Sequence, residues 1–228
     1  GNDYKNRQKY LDISKNILNE LYLISDYTDE YISQTNSILP LYKKQYERWD
    51  IDNDSVFIDF FENENAPGSK FYYVPLGLFK NTKPYNPPRL AYKTFSKGTQ
   101  DFFLINTEIS NRIFELYDGS DIQYLFEGTG KNEEKYINQF IDRIENKWIK
   151  DLPSVDLDSK DFWIENRKYI QNDKFIKNIL KKRNDLWNFS VKEQLSYQNE
   201  LIKKDIKSLD SVIKRMDNEK YFLYWKLD

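Results

Sequence analysis

The chain contains neither histidine nor cysteine among its 228 residues. Without histidine it lacks the side chain that most often serves as a general base near neutral pH, and also the commonest transition-metal ligand. Without cysteine it has no disulfide, no thiolate nucleophile and no cysteine metal site. Catalytic sites of the Ser-His-Asp and Cys-His kinds are therefore excluded. Any chemistry has to use carboxylates, lysine, tyrosine or arginine.

Glycine and proline are also scarce, with seven of each in the whole chain. This leaves little material for tight turns, which argues against a fold of many strands and favours long helices. Hydrophobic residues make up 39% of the chain, and 18 Tyr, 15 Phe and 5 Trp are among them. Because aromatic side chains bury a large area each, we expect an aromatic-rich core.

The charges nearly cancel, since 35 basic and 37 acidic residues are interspersed along the chain. A balanced chain has no net field to attract nucleic acid or an anionic membrane surface, so we expect no nucleic-acid partner and no polyanion-binding role. No stretch approaches the roughly 18 consecutive apolar residues that a membrane-spanning helix requires. Gly1, with no initiator methionine, is typical of a scar left by protease cleavage, which suggests that an upstream anchor or signal peptide was removed.

Residues 3–39 have the pattern of one long amphipathic helix, with an apolar residue every seven positions. These residues are Tyr10, Ile17, Ile24, Tyr31 and Ile38. A second apolar row widens this stripe, and it consists of Leu11, Leu18, Ile32 and Leu39. The opposite face is polar and carries Lys5, Lys9, Asp12, Asn16, Asn19, Asp26, Glu30 and Ser33. Such a helix cannot bury its stripe alone, so another part of the chain must cover it.

The last helix has the same coiled-coil-like period and supplies the partner. Its apolar positions are again seven apart and are Leu195, Ile202, Leu209 and Met216. We therefore predict an all-α, single-domain, elongated helical bundle over residues 1–228, in which the long terminal helices pair lengthwise and antiparallel. A small irregular or two-stranded insertion is expected near residues 70–88, where prolines accumulate.

The boundaries of the other helices follow from breakers and caps. Pro40 predicts a kink or an end near Leu39, with helical spacing continuing to about Trp49. The sequences at Ser120 and Ser190 have the spacing of capping boxes and predict helix starts, and residues 128–130 predict a helix break. The predicted segments are 56–62, 88–97, 106–117, 120–126, 132–150, 161–169 and 173–187. An aromatic tail at 221–227 is expected to dock on the bundle or to pair as a strand with 71–74.

Two kinds of ligand-binding motif are matched in part, but residues that each motif requires are missing. Asp50, Asp52 and Asp54 begin like a calcium loop, but Ser55 and Phe61 stand where that loop needs Gly and Glu, and Asp156-x-Asp158 fails in the same way. Residues 128–131 suggest a phosphate-binding loop, but its first Gly and its Ser or Thr after Lys131 are missing. The sequence therefore assigns no catalytic residue, no metal ligand and no cofactor.

The aromatic and proline-rich stretch at residues 71–92 allows two interpretations. Exposed Tyr and Trp side chains can stack on sugars or accept a peptide, and they are enriched at interfaces. The same residues can instead close the end of a bundle whose helices are too polar to close it. The sequence favours the core over a binding surface and leaves both open.

Three segments resemble a group of uncharacterised bacterial membrane-anchored proteins that share a domain of unknown function. Residues 2–21 are similar to the Lys/Arg-rich, Tyr-Leu-containing helix that follows the single N-terminal transmembrane helix of that group. Residues 90–98 resemble its helix ending in Ser-x-Gly or Ser-Gly. Residues 104–117 resemble its Leu-Ile-x-Asn-x-Glu-Leu helix, which ends in Tyr.

This resemblance implies an extracytoplasmic helical domain on the periplasmic side of the inner membrane, tethered by an N-terminal helix that the sequence does not include. It implies no activity and transfers no catalytic residue. We expect a non-enzymatic sensor or scaffold domain that binds a ligand, or another membrane or periplasmic protein. The alternative is a carboxylate-based hydrolase acting on cell-envelope glycans.

Overall fold

The computed structural model describes residues 2–48, 85–97, 107–148 and 172–225, together with Asn166 and Tyr169. These residues form helices and no strand, which confirms the all-α prediction. The α-helices are α1 (Asn2–Arg48), α2 (Leu90–Lys97), α3 (Thr107–Asp118), α4 (Ser120–Gln123), α5 (Thr129–Arg143), α6 (Lys174–Trp187) and α7 (Ser196–Trp225). Three π-helical segments lie between or after them, namely π1 (Tyr124–Gly128), π2 (Ile144–Trp148) and π3 (Asn188–Leu195).

The contacts divide the chain into two compact units. Unit 1 contains Gly1–Glu30, Asn86–Gln123 and Leu195–Asp228, and unit 2 contains Tyr31–Tyr85 and Tyr124–Gln194. The single-domain organisation expected from the sequence stays a prediction.

Unit 1 is built on the antiparallel pairing of the first part of α1 with α7. Lys15 Nζ lies 3.5 Å from Asp217 Oδ2. Ten residues further along α1, Ser25 Oγ donates a hydrogen bond to Asn199 Oδ1 at 3.3 Å. As the residue number rises along α1, from 15 to 25, the number of the residue that it contacts on α7 falls from 217 to 199. The two helices therefore run in opposite directions. The predicted antiparallel pairing of the terminal helices is confirmed.

Both seven-residue rows are buried where the structure describes them. On α1 the buried members are Tyr10, Ile17, Ile24 and Tyr31, and at the other end of the chain they are Leu195, Ile202, Leu209 and Met216. Within unit 1 this core also takes Tyr92 and Phe95 from α2 and Ile109, Ile113, Leu116 and Tyr117 from α3. The eight residues predicted to form the polar face of α1 are all exposed.

Helix α1 continues through Pro40 to Arg48. A proline removes one backbone donor and crowds the preceding turn, but the flanking turns keep their own hydrogen bonds and can continue the helix. Of the two alternatives predicted at Pro40, an end near Leu39 is wrong, and the predicted helical structure beyond Pro40 is confirmed as far as Arg48.

The predicted helix break at residues 128–130 is also wrong. Gly128 has right-handed helical angles, φ −68° and ψ −47°, and π1 passes directly into α5. A Cβ atom on Gly128 would lie 3.1 Å from the ring of Tyr124. The glycine thus makes room for an aromatic ring within the helix, and its conformational freedom is not used.

The capping box predicted at Ser190 does not form, because α6 continues through π3 into α7. Ser190 is completely buried, and its hydroxyl has no hydrogen-bond partner among the described residues. The start of this helical run is capped at Asp173, whose carboxylate accepts from the backbone N–H groups of Phe175 and Ile176.

Some of the remaining predicted segments lie within the described residues and can be compared with the structure, and others lie outside them. The backbone of α7 extends to Trp225, so residues 221–225 are helical and do not form the strand expected as one alternative for the tail. Residues 56–62 and 70–84, most of the predicted insertion, lie outside the described residues, as does 161–169 apart from Asn166 and Tyr169. Residues 85–89 have no regular structure, and α2 begins two residues after Pro88.

The core of unit 1 predicts the result of replacing Ile17 and Ile24 by Asp. Both side chains are buried, at 0% and 5% exposure. Each substitution removes an apolar side chain and places a carboxylate in the core, so each should cost more than about 3 kcal/mol. The double variant should therefore lose cooperative thermal unfolding, measured by circular dichroism. The matched control places Asp at the exposed positions Tyr4 and Leu23 and should melt like the wild type; retained cooperative melting of the Ile17 and Ile24 variant would contradict the fold.

Candidate functional site

Five side chains of unit 1 join three helices through a continuous polar network. We call Glu20, Arg89, Tyr92, Tyr117 and Asp118 the tyrosine clasp. Helix α1 supplies Glu20, α2 supplies Tyr92 and is preceded by Arg89, and α3 supplies the adjacent Tyr117 and Asp118. Glu20, Tyr92 and Tyr117 are buried, and Arg89 and Asp118 lie at the edge, about one-third exposed.

At the inner end of the clasp, Glu20 accepts three hydrogen bonds. Its Oε2 accepts from Ala91 N at 2.6 Å, and its Oε1 accepts from Tyr92 N at 3.1 Å and from the Tyr117 hydroxyl at 2.7 Å. The first N–H groups of a helix have no partner within that helix, so a carboxylate from another helix can satisfy them. Glu20 thus caps α2 from α1 while also binding α3.

At the outer end, Asp118 is the acceptor. The Tyr92 hydroxyl donates to Asp118 Oδ2 at 2.7 Å, and Arg89 Nη2 donates to Oδ1 at 2.5 Å. The rings of Tyr92 and Tyr117 stack with their centroids 4.1 Å apart and their planes 4° from parallel. The Arg89 guanidinium lies 5.6 Å and 6.0 Å from the two ring centroids, within the range of a cation–π interaction.

The electrostatics keep both tyrosines protonated. Burial, strengthened by a hydrogen bond to a carboxylate, raises the pKa of Tyr92 and that of Tyr117 far above the ordinary value of 10. For Asp118, burial raises the pKa, but the hydrogen bonds from Tyr92 and Arg89 and the charge of Arg89 outweigh it, and the pKa falls below 3.8. The clasp therefore consists of two neutral tyrosine donors, one cationic donor, Arg89, and two carboxylate acceptors, and this arrangement holds helices together.

Unit 2 contains a second buried polar cluster. Glu133 Oε1 on α5 accepts from Arg183 Nε at 3.0 Å and from Trp187 Nε1 at 2.5 Å, and Arg183 Nη2 lies 3.0 Å from the same oxygen. All three residues are at most 4% exposed. A buried pair of charges that is also hydrogen-bonded positions its helices, because separating the partners leaves an uncompensated charge. This cluster fixes α5 against α6.

The candidate sites considered in the sequence analysis differ in whether the structure describes them. Asp50, Asp52 and Asp54, and the Asp156-x-Asp158 pair, lie outside the described residues. Residues 128–131 belong to a continuous helix and form no phosphate-binding loop. Of the aromatic stretch 71–92, Tyr85 and Tyr92 are buried, which supports the core interpretation for these two, and residues 71–84 lie outside the described ranges.

The described residues contain neither a cluster of metal ligands nor a membrane-spanning helix. No group of three or more acidic side chains there is arranged to hold a metal ion. None of the described helices is both long enough and apolar enough to cross a membrane.

The hydrolase alternative needs two acids facing the same pocket. An open depression of about 560 Å³ on α5 is lined by Lys131, Glu134, Lys135, Asn138, Gln139 and Asp142. Its two acids are eight residues apart, so their backbone positions differ by about 12 Å along the helix, more than the roughly 5–9.5 Å between catalytic carboxyl groups of glycosidases. Asp142 also accepts a hydrogen bond from Asn146 at 2.7 Å. This depression gives the hydrolase no support, and that function stays a prediction.

Sequence reasoning missed the clasp, although one signal for it was present. Glu20 lies three residues after Ile17 and four before Ile24, inside the apolar stripe of α1. A lone charge at such a position requires a buried partner. The partners could not be identified, because Tyr92 and Tyr117 are about 70 and 100 positions away and have the appearance of ordinary core aromatics.

Comparison with known proteins gives no relative from which a role could be transferred. No family model, no curated protein and no solved structure matches this chain. The resemblance to the membrane-anchored group consequently stays a prediction.

The clasp predicts coupled losses of stability. Replacing Tyr117 by Phe removes one donor from Glu20, and replacing Glu20 by Gln removes the charge that caps α2; each should cost about 1–3 kcal/mol in the free energy of unfolding measured with urea. Because both changes affect the same hydrogen bond, the double variant should lose less than the sum of the two. The control Tyr22→Phe, at a half-exposed position, should change stability by less than about 0.5 kcal/mol. Strict additivity of the two changes would contradict the clasp.

Asp118 predicts a stability difference that depends on pH. Its pKa is lower in the folded chain than the ordinary value of 3.8, so it stabilises the fold above that value and ceases to do so as the pH falls through its folded pKa. The difference in free energy of unfolding between wild type and Asp118→Asn should be constant near neutral pH and shrink below about pH 4. Urea titrations at several pH values measure it. A difference that stays the same into that acidic range would show that Arg89 and Tyr92 do not bind this carboxylate.

Proposed function

We propose that this chain is a non-enzymatic, extracytoplasmic partner-binding domain of a membrane-anchored bacterial protein, acting as a sensor or scaffold. The observation that carries the proposal is the apolar surface next to the tyrosine clasp. Leu90 is 77% exposed and Leu23 is 59% exposed, which makes them two of the most exposed large hydrophobic residues in the described part of the chain.

These two leucines lie on the same side of α1. Asn86 N donates to the Tyr27 hydroxyl at 3.1 Å, and Ala91 N donates to Glu20, so the segment before α2 follows α1 from Tyr27 back to Glu20. Leu23 lies between these two contacts, about one turn from each, and Leu90 immediately precedes Ala91. Exposed apolar patches are a common feature of protein–protein interaction sites, and these two leucines are held on a rigid support.

The position of Leu90 also supports a role in sensing. It is the first residue of α2, and the next two N–H groups are held by Glu20. A partner that binds Leu90 and displaces it would strain the adjacent hydrogen bonds from α2 to Glu20 of α1. Sensing requires that the chain has two conformational states with different affinities for the partner, and showing both states would establish it. Membrane anchoring and location rest on the resemblance of residues 2–21, 90–98 and 104–117 to the membrane-anchored group.

The partner surface is tested by crosslinking in living cells. A photoreactive amino acid is placed at Leu23 or Leu90 of the native protein in its host, and the matched controls carry it at the exposed polar positions Asp12 and Lys207. We expect one discrete adduct from both leucine positions and none from the controls, since the partner covers the leucines. Equal adducts from all four positions, or none from the leucines, would overturn the proposed surface.

The location is tested separately by fractionating the same cells. The native protein should sediment with the membrane and be cleaved by protease added to cells whose cytoplasmic membrane is intact. Recovery in the cytoplasmic fraction, protected from protease, would reject the extracytoplasmic assignment while leaving the crosslinking result to decide partner binding.

A further inference from the structure

One exposed face of unit 2 has a charge and an aromatic content that the whole chain does not share. Residues 173–193 contain five lysines and Arg183 against three acidic residues, Asp173, Asp185 and Glu193, which gives this segment a net charge of +3, whereas the chain as a whole has a net charge of −2. Four of these lysines are exposed, namely Lys174, Lys181, Lys182 and Lys192. No ion pair joins Lys174, Lys181 or Lys182 to any carboxylate in the described part of the chain, so their charges face solvent.

Two phenylalanines lie among these lysines. Phe175 is 43% exposed and Phe189 is 49% exposed. Together with Lys182 they recur every seven residues, which places the three in one row spanning about 21 Å along the helix axis. The Arg143 guanidinium lies 5.2 Å from the Phe175 ring centroid and also donates to Asp173, so this ring is held in position although the residue is partly exposed. We call Lys174, Phe175, Lys181, Lys182 and Phe189 the lysine–phenylalanine face.

The opposite side of the same helix is buried in unit 2 and holds this face in place. Ile176, Ile179, Leu180, Arg183 and Trp187 are all buried, and Arg183 and Trp187 are fixed to Glu133. The lysine–phenylalanine face is therefore one side of an anchored amphipathic helix. Its phenylalanines are not available to the core of unit 2 without breaking those contacts.

We infer that the lysine–phenylalanine face docks on an anionic lipid surface. Lysines attract acidic headgroups, and exposed apolar rings between them can enter the boundary between headgroups and acyl chains. The overall charge of the chain does not oppose this docking, because charges further away than the Debye length of about 8 Å are screened at physiological salt. A straight row of cations and rings also matches a plane better than it matches a single small anion. The inference does not depend on the proposed partner surface, whose residues belong to unit 1.

The docking is tested by sedimentation with lipid vesicles. The wild-type chain should bind vesicles of phosphatidylcholine with phosphatidylglycerol and not vesicles of phosphatidylcholine alone. Replacing Lys174, Lys181 and Lys182 by Glu should weaken binding by about tenfold or more. The matched control makes the same change in charge at Lys9, Lys204 and Lys207, which are exposed in unit 1, and should bind like the wild type. No binding by the wild type, binding to neutral vesicles alone, or equal losses in both triple variants would overturn the docking.

A second variant separates a membrane from a soluble acidic partner. Replacing Phe175 and Phe189 by Ser leaves the charges in place, so it should weaken binding to the anionic vesicles while leaving binding to soluble polyglutamate unchanged. Vesicle binding as tight as that of the wild type would mean that the face recognises acidic polymers in general, and this would overturn the lipid assignment. Circular dichroism melting of each variant checks that the fold is kept.

The side of the chain that faces the vesicle can also be identified without replacing either phenylalanine. Because the chain has no cysteine, a single cysteine replacing Lys182 can carry an environment-sensitive fluorophore, and one replacing Lys207 serves as the control. Anionic vesicles should shift the emission of the label at position 182 to the blue and leave the label at 207 unchanged. Equal shifts at both positions, or no shift at 182, would overturn the docking geometry.

Discussion

The structure of unit 1 depends on the burial of two apolar stripes against each other, one on α1 and one on α7. Neither helix can keep its stripe in water, and their shared period of seven lets the stripes stay in contact over many turns. Ile17, Leu21 and Leu209 are among the least exposed residues of the chain, which shows how completely the stripes are covered. Helices α2 and α3 then close the remaining sides with Tyr92, Phe95, Ile113 and Tyr117. At its edge this packing is fixed by polar contacts, of which the tyrosine clasp is the most extensive.

The stripes were predictable from the sequence, and several local details were not. A period of seven apolar residues extends over whole helices and outweighs local preferences, so the paired termini could be inferred. The capping box at Ser190 and the glycines at 128 and 130 are short signals, and in both places the helix continues through a π-helical segment, an unusual conformation that sequence patterns do not indicate. At Gly128 the reason is visible, since the Tyr124 ring occupies the space that a Cβ would need.

The candidate functional features were harder to predict than the fold because they combine distant residues or depend on exposure. Glu20 could be recognised as a charge within an apolar stripe, but its partners come from two other helices. The lysine–phenylalanine face was hidden because the net charge averages over the whole chain. The two features share one arrangement: a buried polar contact, Glu20 with α2 or Glu133 with α6, fixes a helix whose outer residues are exposed.

The direction in which α1 and α7 pair is the claim on which this account of unit 1 depends, and spin-label distances measure it directly in a chain that has no cysteine of its own. Cysteines replacing Lys15 and Asp217, whose side chains lie 3.5 Å apart, carry the labels in one variant, and cysteines replacing Asp29 and Lys203, whose side chains lie 3.0 Å apart, carry them in another. Antiparallel pairing predicts a short distance for both pairs, whereas parallel helices in contact at 15 and 217 would place positions 29 and 203 about 40 Å apart along the axis. A short distance between 15 and 217 with a long one between 29 and 203 would contradict the pairing.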